Sequence, residues 1–409
     1  MAKRDDDPFH TFNASTGSGL VRTPYPRFAE LRGQCPVHQG TAGQLFGLPA
    51  LDQAMFSDTG TYYSAMSYDA VSQVLLDGMT FSSSGYGATM GLVFGHSILE
   101  MDEPEHHRYR SLLQQAFSQK AMDGWERDLV APIVQRRIDA FVERGRADLV
   151  RELTFPFPLE VIAGMLGLPD ADLPRFHRLA VELISIAVNV ERGLAASQQL
   201  REYFAELLAP RRATPGNDFM SVLAQAELDG QRLTDDEIFA FLRLLLPAGA
   251  ETTYRSSSNL LYGLLTNPEQ LTALRDDRTL MRRAIEEGLR WEAPLTGIAR
   301  TATRDVVVDG VSVPRGAVVS VCLGAANHDP KRWKDPERFD IFREPRQHMA
   351  FAYGNHTCLG IHLARMETRV ALDAVLDRLP NLRLDPAAED VHITGLGFRA
   401  PSTLPVLFG

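Results

Sequence analysis

This 409-residue chain has three cysteines, and only Cys358 sits in a setting that suggests chemistry. It lies in FAYGNHTCLG, residues 351–360, just before an apolar, helix-like run that ends at Leu379. A cysteine so placed is expected at a helix N-terminus. There, free amide hydrogens and the positive end of the helix dipole lower its pKa and favour thiolate. No Cys-x-x-Cys occurs, which argues against structural zinc or an iron–sulfur cluster. A lone, shielded thiolate suits haem iron better, and as an axial ligand it favours O–O cleavage. Two pairs carry further potential: His106 with Arg110, and Glu287 with Arg290, each on one helical face. A fourth stretch, Ala248-Gly-Ala-Glu-Thr-Thr253, follows Pro247 inside a long helical pattern. Proline removes a backbone hydrogen bond and glycine weakens the helix, so a defect there points to function.

These groups need a scaffold. Residues 233–267 give the strongest helix pattern, opened by a Thr234-x-x-Glu237 capping box and closed at Asn267-Pro268. About 32 residues at ~1.5 Å each make roughly 48 Å of helix, apolar on nearly every side, as a helix through a large core should be. Residues 69–77, 101–117, 124–148, 159–212 and 279–291 read as further helices. Phe46-Gly-Leu-Pro, Tyr62–Ser67, Val306–Val308, Val311–Val313 and Ala317–Cys322 read as strands, with Asp309-Gly310 a hairpin turn. Residues 1–26 are expected to form an extended arm, 81–98 a long functional loop, 183–190 a buried or cavity-lining stretch, and 327–347 a polar meander. Ile393–Phe408 reads as a short hairpin. The fold class is mainly α with minor β, in one domain over 1–409. The net charge of −10 argues against nucleic acid. The sequence shows neither an apolar signal region nor a membrane-length apolar window, and the low, odd cysteine count suits a reducing cytoplasm.

Four motifs, in order and over about 250 residues, resemble the cytochrome P-450 family, specifically its soluble bacterial members. The resemblance implies that family's fold, a single domain around a buried haem b with Cys358 as axial thiolate. Phe351 and Gly360 frame its loop, and Ala248 lines the oxygen groove. It makes Glu287 and Arg290 a structural ion pair tied to the meander through Arg338. It assigns His106, Arg110, Arg300 and His356 to the haem propionates, with His356 standing where many members have Arg. Thr252 and Glu251 become an acid–alcohol pair that delivers protons to oxygen. The implied substrate pocket contains Tyr86, Met90, Leu92, Val93, Phe94, Leu183, Ile186, Leu244, Leu295, Ile298, Leu396 and Phe398. Ser84, Thr89 and Thr296 could each orient a ligand by one hydrogen bond. The list lacks a buried Arg or Lys, so a neutral hydrophobic ligand (terpenoid, steroid or similar lipid) is expected, with a small aromatic acid as the alternative. The implied activity is O2-dependent monooxygenation. Its electrons would come from a ferredoxin and an NAD(P)H-dependent reductase, docked on Arg108, Arg343, Arg346 and Arg365. Peroxide-driven oxidation and a non-catalytic haem sensor are the competing readings, both disfavoured by Glu251-Thr252.

Overall fold

The computed structural model describes residues 21–48, 60–184, 186 and 189–409. Its axis is the expected long helix. Asp235–Leu245 starts with the capping box: the Thr234 hydroxyl accepts from the Glu237 amide, and the Glu237 carboxylate accepts from the Thr234 amide. The helix widens into a π-helical turn, Leu246–Glu251, and resumes as Thr252–Leu265. Pro247 lies in the first turn of the wide segment. The widened turn accommodates a residue that has no amide hydrogen to offer. Val190–Ala213 and Pro156–Met165 pack on the first half and the π turn; Met281–Trp291 and Ile361–Arg378 pack on the second half.

A five-stranded sheet flanks these helices, in the order Val37–Gln39, Tyr62–Ala65, Val318–Val321, Ile298–Ala302, Phe81–Ser82. Tyr62–Ala65 and Val318–Val321 run parallel and the other neighbours antiparallel. The sheet delivers Arg300, paired opposite Val319, to the site. Val306–Val308 and Val311–Val313 form the expected hairpin, with Asp309 and Gly310 both at positive φ. No helix among the described residues is long and apolar enough to cross a membrane.

Several elements differ from expectation. Helix Tyr25–Gln34 begins inside the expected arm, of which residues 1–20 lie outside the described residues. Phe46 and Gly47 end a short helix, Ala42–Leu45, rather than forming a strand, and Pro49 is outside the described residues. The stretch 81–98 is not one loop. It holds the strand Phe81–Ser82, a 3-10 turn Ser84–Tyr86 and a helix Met90–Phe94. At the C-terminus Ile393–Thr394 pairs with Ala400–Pro401, while Pro405–Leu407 joins Arg383–Leu384 and Arg146–Asp148 in another sheet. In the 183–190 stretch, Leu183 is fully buried and Val190 is exposed; residues 185, 187 and 188 lie outside the described set.

Candidate active site

The cysteine loop is built by its backbone. The Cys358 amide donates to the Phe351 carbonyl at 2.9 Å, and Thr357 closes on Gly354 through both its amide and its hydroxyl. Ala352 and Gly354 have positive φ. At Gly354 a Cβ would stand 2.4 Å from the Leu75 carbonyl oxygen, so helix Tyr68–Leu76 can lie on this loop only where the side chain is absent. Cys358 comes two residues before Gly360, the N-cap of Ile361–Arg378, so it precedes the helix rather than starting it. Burial pushes its thiol up, and the Gly360 amide, Arg110 and Arg365 only partly offset this. The expected lowering by the helix end is therefore outweighed by desolvation. Phe351 stacks under Arg365, whose guanidinium donates to both carboxylate oxygens of Glu286, each at 2.7 Å.

His106, Arg110, Arg300 and His356 converge beside this loop. The two imidazole rings lie 4.0 Å apart. His356 Nε2 meets the Ser83 hydroxyl at 3.2 Å, and His106 Nδ1 meets Glu103 at 3.3 Å. Arg300 is held by the Tyr86 hydroxyl and by its own donation to the Ala299 carbonyl at 2.7 Å. Burial, then Arg300, His106 and Arg110, push His356 down to about 3. Burial also lowers His106 and Arg110, and Arg110 is within electrostatic reach of Cys358. His106 Nε2 is buried with no hydrogen-bond partner among the described residues. Such a gathering of nitrogen donors, one of them orphaned, calls for an anion. Two haem propionates next to a cysteine satisfy both needs, so the residues present fit a thiolate-held haem.

The central helix contributes the π turn. Between Ile238 and Leu265 the central helix is buried or half-buried everywhere except at Ala248, which is exposed. Leu244, Ala248 and Thr252 are spaced four apart, so one stripe of a core helix opens onto accessible space. The Thr252 hydroxyl donates to the Ala248 carbonyl at 2.7 Å. Glu251, 5% exposed, does not reach solvent; its carboxylate accepts from Arg255 Nε and Nη2 at 3.2 and 3.0 Å. Arg255 in turn lies near the rings of Tyr254 and Phe398. Burial raises the Glu251 pKa and Arg255 opposes the rise.

Sequence reasoning missed Glu367. It is 3% exposed, on Ile361–Arg378, and the Thr253 hydroxyl bonds its carboxylate. Burial pushes this carboxyl up to about 8. The signal was available: Leu363, Met366, Glu367 and Val370 fall on one buried stripe, and a glutamate there breaks the apolar pattern.

The Glu287–Arg290 pair is buried, with bonds of 2.7 and 2.8 Å. Arg290 also donates to the carbonyls of Asn327, Pro336 and Arg338. The Arg338 side chain, expected as the third member, is exposed; Arg343 takes that place, 3.3 Å from Glu287. Only the Arg338 carbonyl takes part, because the meander turns its backbone toward Arg290.

The pocket residues separate. Val93 and Phe94 are buried in the main core, with Met90, Ile186 and Leu244 packed against it; Ile186 rests on Gly193. Leu295 bridges to Phe398. Leu183 is enclosed as a core residue. Leu92, 72% exposed, faces outward because its short helix turns the neighbouring Val93 and Phe94 inward. Ile298 packs with the sheet, and Leu396 packs with Tyr25 and Phe28. The Tyr86 hydroxyl accepts from the Ala299 amide at 2.8 Å and braces Arg300 rather than facing a ligand. Two of the three candidate orienting hydroxyls donate to protein, Thr89 to the Tyr86 carbonyl and Thr296 to the Leu396 and Gly397 carbonyls, while the Ser84 hydroxyl accepts from Ser82. A buried arginine absent from the expected list, Arg243, does lie on this side.

A buried cysteine loop with an anion clamp at its side, in a fold whose central helix opens one stripe, fits a haem-thiolate oxygenase. Comparison with known proteins agrees. The cytochrome P450 family model matches residues 184–392. Cytochrome P450 107B1 of Saccharopolyspora erythraea is 34% identical, covering 86% of this chain and 95% of the relative. A steroid C26-monooxygenase of Mycolicibacterium smegmatis is 34% identical, covering 90% and 93%. Among solved structures, CYP109E1 from Bacillus megaterium in complex with testosterone superposes with a TM-score of 0.84 at 31% identity, covering 95% of this chain and 99% of that one. The chain belongs to the cytochrome P450 family. It is a haem-binding monooxygenase of that family, its iron held by a cysteine thiolate.

Proposed function

We propose that this enzyme inserts one atom of O2 into a neutral, medium-sized hydrophobic molecule of steroid or similar lipid type. When bound, haem supplies the oxygen activation. Cys358 would hold its iron through the thiolate, and His106, Arg110, Arg300 and His356 would hold its propionates. Glu287, Arg290 and Arg343 brace the loop from behind. The Thr252 hydroxyl donates to the Ala248 carbonyl, which leaves its oxygen to accept from a proton donor at the open stripe beside exposed Ala248. Glu251 is tied to Arg255, whereas Glu367 keeps its carboxyl protonated near neutral pH beside Thr253. Glu367 is therefore the carboxyl of the two that holds a proton near neutral pH, at Thr253.

The observation that carries the substrate class is that each candidate polar group already has a protein partner, Thr89 and Thr296 as donors and Ser84 and Tyr86 as acceptors. The similarity to a steroid C26-monooxygenase and to a testosterone complex supports the same class. A small aromatic acid fits less well, because Nε and Nη1 of Arg243 are bonded to the Phe239 carbonyl and the Ser197 hydroxyl. We assign electron supply to a cytoplasmic ferredoxin and its NAD(P)H-dependent reductase. The docking patch needs revision, since Arg108, Arg343 and Arg365 bond to protein partners.

The test is turnover of a steroid panel with ferredoxin, reductase and NAD(P)H, against peroxide alone. Hydroxylated product that depends on the electron chain is expected. Product with peroxide only, or haem spin-state shifts only with carboxylate ligands, would overturn the reading.

A further inference from the structure

The two adjacent imidazoles of the clamp are held differently. His356, neutral near pH 7 because burial and its cationic neighbours push it down to about 3, meets the Ser83 hydroxyl and the Met101 carbonyl. His106 is 1% exposed and keeps one ring nitrogen, Nε2, without a hydrogen-bond partner among the described residues. Its other nitrogen, Nδ1, lies 3.3 Å from Glu103 Oε1. A carboxylate oxygen only accepts, so the single proton of a neutral His106 belongs on Nδ1. Nε2 would then turn a lone pair to the anion that the clamp is built for. Only the imidazolium, with a proton on each nitrogen, suits a carboxylate on both sides.

The groups that face His106 pull in opposite directions. Burial disfavours a charge on it, as do Arg110 from its own helix, Glu105–Gln114, and Arg300 from the sheet; His356 from the cysteine loop is neutral. Among the described residues Glu103 is the group that favours the charge. Of the neighbouring carboxylates, Asp102 accepts from the Ser82 hydroxyl and the Ser83 amide, and Glu105 pairs with His96. Glu103 is itself fixed on both oxygens: Oε1 accepts from Asn355 Nδ2 at 3.0 Å and Oε2 from the His107 amide at 3.2 Å. Asn355 belongs to the cysteine loop, three residues before Cys358. One carboxylate thus joins the first turn of the propionate helix to that loop. A bound propionate adds a second negative charge, on the Nε2 side, and favours the cation further. We propose that Glu103 is a positioning residue for haem: it holds His106 as an imidazolium, which leaves Nε2–H as a charged donor for a propionate, and it fixes the cysteine loop beside it through Asn355. The proposal rests on the reading that His106 serves a propionate. The charged bond is present at low pH and is lost as pH rises and His106 gives up its Nε2 proton.

The test uses haem-loaded enzyme and follows haem transfer to excess apomyoglobin from pH 6 to 9. In the parent enzyme transfer is expected to quicken by about tenfold across this range, as the charged bond is lost. Glu103→Gln keeps the shape, and its amide can donate to Nδ1, which moves the proton of a neutral His106 to Nε2. A neutral donor then replaces a charged one, so transfer at pH 6 is expected to be faster than in the parent by about five- to tenfold, and flat up to pH 9. Asn355→Ala removes the loop contact and keeps the carboxylate, so it should keep the parent's pH dependence. Ring-nitrogen shifts of nitrogen-15 histidine-labelled ferrous CO enzyme, assigned through His106→Phe, should show an imidazolium at pH 6 in the parent and a neutral ring in Glu103→Gln. A neutral His106 in the parent overturns the proposal, and this measurement stands where Glu103→Gln fails to fold. The parent's pH dependence persisting in Glu103→Gln, or vanishing in Asn355→Ala, overturns it too. Haem transfer from His106→Phe no faster than from the parent would overturn the propionate reading itself, and the proposal with it.

Discussion

Arg255 decides what Glu251 can do. The two side chains are buried together, one turn apart, with Phe398 against the guanidinium. Removing one partner of such a pair leaves a charge with nowhere to go, so Arg255→Leu is expected to lower unfolding free energy by about 3–5 kcal/mol. Replacing both residues by leucine should recover most of that, because the stranded carboxylate is gone. Urea denaturation of the two variants reads the difference, and equal losses in both would show that the pair is not coupled. Thr252→Ala tests the neighbouring hydroxyl: it should keep oxygen binding, release hydrogen peroxide and lower product formed per NAD(P)H by about 10²-fold or more, a typical general-acid contribution. Fully coupled turnover would place the proton donor elsewhere. Sequence spacing was enough to single out Thr252 and Glu251 as neighbours in a helix defect. It could not show that an arginine four residues on closes over the acid, since that depends on burial depth and on Phe398 from the far end of the chain.

At the scale of elements, long periodic segments were legible and short ones were not. The capping box and apolar surround marked the central helix, and Pro247 marked its π turn. The 81–98 stretch looked like loop because its glycines and serines hide a five-residue helix. That helix is held by tertiary bonds to Arg243 and Ser197, not by propensity. Val37–Gln39 carried no readable alternation in three residues, and pairing with Tyr62–Ala65 makes it a strand. The third partner of the ion pair was misassigned to Arg338 because a spacing motif cannot tell a carbonyl from a side chain. The cysteine loop gives the element-scale prediction. Gly354→Ala brings a Cβ against the Leu75 carbonyl at a positive φ. Strain of about 1–3 kcal/mol follows unless helix Tyr68–Leu76 moves away, and the loop is then expected to hold haem poorly. The ratio of Soret to protein absorbance measures it, and full haem occupancy with unchanged melting would refute the contact.

For the whole molecule, two carboxyls set opposite slopes of stability against pH. His348 and Arg365 hold Glu286 at about 2 despite its burial, so its contribution is fully present above the usual glutamate range and fades as pH falls toward 2. Glu367 works the other way. Its carboxyl titrates at about 8 in the folded chain, against a usual value near 4.5, so the folded state binds that proton more tightly than the unfolded one. Stability is then highest below about pH 4.5 as far as this group is concerned and falls as pH rises toward 8, by up to about 4 kcal/mol. Glu367→Gln keeps the shape and cannot ionise. It should match the parent enzyme near pH 4, exceed it increasingly from pH 5 to 8, and run parallel to it above that. Melting temperature across this range, followed at the Soret band and by circular dichroism, measures the gap. A constant offset at every pH would mean that Glu367 does not change protonation state on unfolding. It would then cease to be a store of a proton at Thr253, leaving Glu251, tied to Arg255, as the carboxyl next to Thr252.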